Sequence, residues 1–221
     1  MSLIAQEWYR PPPIHVFPNQ PPEVRRGNTL ANLGRLPDVA QLGHCLEGVP
    51  VVVLGAGASV DKAWDEIKRH VDDGAAVIAC DRIAVAAALR CPVWGLVSLD
   101  ADPLAGGPIS AALDVSPGIV CLMASVCAPG AVDTILAREA SAYVFLPSQD
   151  DYEQLFLDSP AATATLSWCG SNVTVCGVAL AMTLGAREIH VYGFDGRLDR
   201  GDYSVDVAGR GAEQPPIEMQ I

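Results

Sequence analysis

Four carboxylates and one glycine loop carry the chemistry this sequence offers. The loop is Gly55, Ala56, Gly57, Ala58 and Ser59, within "VVVLGAGASVDKAW". Glycines at the end of an apolar run permit tight turns and let a phosphate approach backbone amides. A helix opening near Ser59 would add free N–H groups and the positive end of its dipole. The competing reading is a tight strand-to-helix turn without ligand, because a lone Gly-x-Gly is a weak signal. The carboxylates are Asp81, Asp100, Asp102 and Asp195. In "SLDAD" an extended chain points Asp100 and Asp102 the same way, and such a pair could hold a Mg²⁺ already bearing phosphate oxygens. Each acid has a structural alternative: Asp81 as a helix N-cap, Asp100 and Asp102 in an ordinary solvated loop with Asp102 capping the turn before Pro103, and Asp195 as the opening of a turn. In "CGSNVTVCGVALA", Gly170, Ser171 and Asn172 stand where a helix would begin, suited to a second phosphate or a ribose, or simply to capping.

These residues matter because of where the elements put them. Apolar runs occur at 51–54, 76–80, 94–98, 119–123, 143–146 and 189–192, most with little alternation. That pattern is expected of parallel strands covered on both faces. Helical patterns lie between them: 59–73 with Ser59 as N-cap and Gly74 past its end, an Ala-rich stretch from Asp81 to Arg90, "PGAVDTILAREA", and the apolar "SNVTVCGVALAMTLG". Gly177 inside the last reads as a close-packing position. Alternating β and α predict an α/β fold, a Rossmann-like doubly wound, mostly parallel sheet. Ligands of such sheets bind beyond the carboxyl ends of the strands. The first, second, third and last runs end respectively in the glycine loop, "DR", "SLDAD" and "GFDG", so one edge collects the candidates.

The organisation follows: residues 1–48 as a proline-rich N-terminal arm with a short helical segment, 49–196 as the nucleotide-binding domain, and 197–221 as a polar tail. The stretch to about Gly27 is too rich in proline for helix or central strand and reads as an extended arm on a surface or another subunit, which could join copies of the chain as a homo-oligomer.

With 26 acidic and 14 basic residues the formal net charge is −12. That repels nucleic acid and anionic membrane surfaces, yet admits a small phosphorylated ligand held by amides and a metal. There is no apolar stretch of membrane-crossing length and no signal-peptide pattern. Seven cysteines without a Cys-x-x-Cys predict buried reduced thiols in a cytoplasmic protein. His190 reads as a core or strand-edge residue. No nucleophile elbow, Ser-His-Asp order or metal-spaced histidine pair is visible, which disfavours covalent hydrolysis. Val60 occupies the third glycine position of a dinucleotide fingerprint, and no Walker lysine follows the loop.

Four ordered blocks, "VVVLGAGASVD", "AAVIACDRIA", "GLVSLDADP" and "CGSNVTVCGVALAMTLGAREIHVYGFDG", resemble the MptE-like domain family, named for archaeal 6-hydroxymethylpterin diphosphokinase. The same domain type occurs in Maf proteins linked to flagellin glycosylation, and the first and last blocks are distantly similar to bacterial sialyltransferases that use CMP-sugars. The likeness runs from about Pro50 to Gly196. Ala58 stands where the family usually has Pro, and "CGSN" departs from the commonest helix start.

The resemblance implies a nucleotide site and a transferase. In the leading reading, a diphosphokinase using ATP, the 55–59 loop would cradle phosphates, Asp100 and Asp102 would hold Mg²⁺, and Asp81 would orient the ribose or an acceptor such as a hydroxymethylpterin. As a glycosyltransferase, the loop would hold the phosphate of a sugar nucleotide and a carboxylate would deprotonate the acceptor hydroxyl. A non-catalytic nucleotide-binding or assembly module is the reading from another class, and an NAD-dependent oxidoreductase the outsider.

Overall fold

The six apolar runs become the strands of one parallel sheet, each within a residue of its expected ends. The computed structural model describes residues 20–147, 165–166 and 172–194. The strands are β1 (Pro50–Leu54), β2 (Ala76–Cys80), β3 (Gly95–Ser98), β4 (Val120–Ala124), β5 (Ala142–Pro147) and β7 (Glu188–Tyr192), with a two-residue β6 (Thr165–Leu166) added beside β5. Their order is β6-β5-β4-β3-β2-β1-β7, and every ladder is parallel. The chain steps outward from β1 to β5, then returns to the far side of β1. The reversal of strand order therefore falls between β1 and β7, the place where open α/β sheets bind ligands.

Helices α2 (Trp64–Asp72), α3 (Ile83–Ala88), α4 (Gly106–Val115) and α5 (Pro129–Ala137) are the crossovers of the outward run, and right-handed crossovers place them on one face. Helix α6 (Val173–Thr183) covers β1 and β2 on the other. The continuous burial of β1 to β5 between these layers explains their unalternating composition: Val51, Val52, Val53 and Leu54 are all fully buried. Gly177 is where α6 comes closest. A β-carbon there would lie 2.9 Å from Val53 Cγ1 and 3.1 Å from Cys80 Sγ, so its role is packing. Edge strand β7 is tied to α2 by a Tyr192 Oη–His70 Nε2 hydrogen bond of 3.0 Å and a stack of the His70 and His190 rings at 3.8 Å. His190 is a strand-edge residue, as its sequence context indicates.

Several expectations are corrected. The helix expected over 59–73 is two elements: a 3₁₀ turn over Ala58–Lys62, entered from Gly57, and then α2. Ser59 lies inside that turn, whose N-cap position is held by Gly57. Asp81 does not cap α3 either; Arg82 holds the N-cap position and no side-chain cap bond forms. Helix α1 (Pro22–Asn32) begins inside the stretch expected to be an extended arm. Pro22 is tolerated because a first-turn N–H needs no helical partner. Helix α4 was not foreseen.

Helix α1 is anchored, and by a polar face. Asn32 Nδ2 donates to the carbonyls of Ser125 at 2.9 Å and Cys127 at 2.7 Å. Asn28 Nδ2 donates to Val126 O at 3.0 Å and Ala101 O at 3.3 Å. These carbonyls lie just past β4 and β3, so α1 braces the chemical edge. Cys80, Cys91, Cys121 and Cys127 are buried free thiols as expected, while the free thiol of Cys45 is exposed. Cys176 is disulfide-bonded, a correction to the all-thiol reading. No helix among the described residues is long and apolar enough to cross a membrane.

Candidate functional site

The edge beyond the carboxyl ends of β1, β2 and β3 gathers most of the predicted residues. The 55–59 loop leaves β1 and is zipped to β7: the Gly55 amide donates to Tyr192 O at 2.8 Å and the Gly57 amide to Gly193 O at 2.9 Å. Two of the amides expected to meet a phosphate are thus engaged within the fold. Among the described residues, the amides of Ala56 and Ala58 have no backbone acceptor. Ser59 is exposed on the following turn.

The first turn of α6 closes over this loop. Asn172 Oδ1 accepts the Thr174 amide at 2.8 Å, so Asn172 is the helix cap. Thr174 Oγ1 lies against Gly55, 2.6 Å from where a β-carbon would stand. Cys80 Sγ donates to Val173 O at 3.6 Å, pinning the helix start to the end of β2. Burial pushes the Cys80 thiol well up, and the neighbouring Asp81 charge pushes the same way. It is a packed thiol and no nucleophile. Gly170, Ser171 and Asp195 lie outside the described residues.

Asp81 has the most distorted environment at the edge. Its φ is +49°, a conformation an L-residue with a side chain rarely holds, and its amide donates to Val97 O at 2.8 Å. The turn aims its carboxyl toward the β3 exit, near Ser98 and Asp100. Burial raises its pKa most, and the Asp100 charge adds to it. Ser98, Arg82 and the Leu99 amide draw it back, leaving it at about 7. Ser98 Oγ is buried and closes no hydrogen bond of ordinary geometry. Asp81, Arg82 and Asp100 line one recess, walled on its apolar side by Leu104, Pro108 and Ile109.

Asp100 and Asp102 serve the loop that carries them. Asp100 Oδ1 accepts the Asp102 amide at 2.9 Å, and Asp102 Oδ1 accepts the Leu104 amide at 2.8 Å, capping the 3₁₀ turn over Pro103–Ala105. The structure brings Asp100 to Asp81 and leaves Asp102 out of the recess. Among the described residues no three His, Cys, Asp or Glu side chains gather as a metal-ligand set, so Asp100 and Asp102 do not by themselves fit an all-protein Mg²⁺ cage.

Sequence reasoning did not single out Arg82, Ser98, Thr174 or the α1 face. Arg82 had a visible signal, as the cation directly after the β2 carboxylate. The others meet the site only through tertiary contact.

No family profile matches the chain, and no curated protein matches it in sequence. Among solved structures the fold is similar to the structure of MAf glycosyltransferase from Magnetospirillum magneticum AMB-1, with a TM-score of 0.58 and 20% identity. The match covers 77% of this chain and 27% of that one, so the chain spans about a quarter of the protein it resembles. At that identity the likeness establishes a shared α/β architecture between this chain and part of a Maf glycosyltransferase.

Proposed function

We propose that the chain is a glycosyltransferase domain that uses a sugar nucleotide as donor. The observation that carries this reading is Asp81: a carboxyl with pKa about 7, on a strained turn, at the strand edge that also presents the glycine loop and the start of α6. A general base works best when its pKa lies near the operating pH. In the reaction, the bond between the sugar's anomeric carbon and the nucleotide phosphate oxygen breaks, the acceptor hydroxyl oxygen bonds to that carbon, and Asp81 takes the hydroxyl proton. Asp100 beside it keeps the Asp81 carboxyl basic. The amides of Ala56 and Ala58, without a backbone acceptor among the described residues, are available to the leaving phosphate. The structural likeness to a Maf glycosyltransferase supports the same reading.

Diphosphate transfer from ATP draws less support. It asks for a metal clamp on the phosphates, and Asp102, half of the expected pair, caps its own turn.

A thermal-shift panel of CMP, UDP and GDP, their sugar conjugates, ATP and NAD, with and without Mg²⁺, tests the proposal. Stabilisation by one nucleotide and its sugar conjugate is expected, with slow release of that nucleotide from the conjugate and loss of release in Asp81→Asn. A response to ATP with Mg²⁺ and to no sugar nucleotide would overturn it.

A further inference from the structure

We propose that Arg82 is the side chain that grips the phosphate of the bound nucleotide, a task the glycine loop cannot perform alone. The inference rests on the sugar-nucleotide reading above. The loop's hydrogen-bonding capacity is the first argument. Its Gly55 and Gly57 amides are held by the Tyr192 and Gly193 carbonyls, and releasing them would open the junction of β1 and β7. The loop therefore offers a phosphate fewer donors than its sequence suggests, and on a chain of net charge −12 a second source of positive potential is needed nearby.

Arg82 directly follows β2, the neighbour of β1, and lines the recess with Asp81 and Asp100. Its charge is felt at the Asp81 carboxyl. Yet among the described residues Arg82 closes no hydrogen bond or ion pair, although two carboxylates share its recess. Other arginines are committed: Arg35 pairs with Asp133, Arg138 with Asp114, and Arg90 lies over the Trp64 ring at 4.8 Å. A half-buried guanidinium without a partner, at a strand-end edge, carries a rigid fork of donors suited to two phosphate oxygens at once. Filling it with an anion also cancels the field it exerts on Asp81, so phosphate binding makes that carboxyl a better proton acceptor. Donor binding and base strength are coupled through one side chain.

The experiment is calorimetric titration of CMP against cytidine, UMP against uridine and GMP against guanosine, on wild type, Arg82→Ala and Arg82→Lys. For the nucleotide that wild type binds, Arg82→Ala is expected to weaken the monophosphate about tenfold or more. It should leave the nucleoside unchanged and flatten the salt dependence of binding, and Arg82→Lys should recover part of the loss. Circular dichroism melts show that each variant is folded; should Arg82→Ala fail, Arg82→Gln takes its place. If wild type binds a monophosphate and the variant binds it equally well, or loses nucleoside and nucleotide alike, Arg82 has no phosphate role and the sugar-nucleotide reading still stands. If wild type binds none of the six, both fall.

Discussion

Gly55 and Gly193 face each other with no room for a side chain on either. A β-carbon on Gly55 would lie 2.4 Å from the Gly193 carbonyl oxygen, and one on Gly193 would lie 2.2 Å from that of Gly55. The contact is the continuation of the β1–β7 ladder past the strand ends. It explains the glycine loop first as a joint in the sheet, whatever ligand lies above it.

That joint predicts unequal costs for equal substitutions. Gly55→Ala must push apart two backbones, and Gly193→Ala must also hold a φ of +67°, so each should lose at least about 2 kcal/mol of stability. Gly74 has a φ of +92° but open space around it, and Gly74→Ala should lose only about 1 kcal/mol. Urea midpoints of the three variants measure the ranking. Gly55→Ala as stable as Gly74→Ala would remove the joint from the account.

The Asp81 carboxyl makes stability fall as pH rises. Its folded pKa, about 7, lies above the ordinary value of 3.8, because burial and then Asp100 disfavour the charge. Between those two values the folded state binds more protons than the unfolded chain, so each rise in pH favours unfolding until the window closes near pH 7. Asp81→Asn should match wild type near pH 4 and exceed it at pH 8, by on the order of 2–3 kcal/mol once solvent screening is allowed for. Melting temperatures across that range read it directly. A variant gain that is constant with pH would mean that the carboxyl does not titrate in this window.

Helix α1 supplies a third test. Asn32 bridges the Ser125 and Cys127 carbonyls from a buried position, so Asn32→Ala leaves two acceptors without their donor. A loss of about 2–3 kcal/mol is expected. Asn32→Asp should be worse than Asn32→Ala, since a carboxylate would oppose both carbonyls. Faster proteolysis ahead of β1 in both variants, with the sheet still cooperative, would show that α1 is a brace on a fold that stands without it.

The strands were legible because burial on both faces leaves an unbroken apolar run, which needs no tertiary information to recognise. Helix α4 was not, since it opens on Gly106, Gly107 and Pro108, residues that read as a turn, and buries only Ile109, Ala112 and Leu113. Helix α1 hid behind Pro21 and Pro22 for a similar reason. At the site, the convergence of the loop, Asp81 and Asp100 followed from strand ends alone. What could not be read was the local engagement of each group. The requirement for glycine at 55 comes from Gly193, far along the chain, whereas the cap that takes Asp102 was readable from the Pro103 that follows it.

The distinction between Asp100 and Asp102 is measurable. Asp102 Oδ1 caps the Pro103–Ala105 turn, so Asp102→Ala should cost about 1 kcal/mol and Asp102→Asn or Asp102→Ser much less. Asp100 lines the recess with Asp81, and its charge helps set the Asp81 pKa. Asp100→Asn should therefore lower that pKa, moving the acid limb of any pH–rate profile to lower pH, while Asp102→Asn leaves it in place. Were both aspartates instead ligands of one metal, the two Asn variants would lose metal-dependent binding together and by similar factors. Measuring nucleotide affinity with and without Mg²⁺ on the two variants separates a cap beside a site from a pair that forms one.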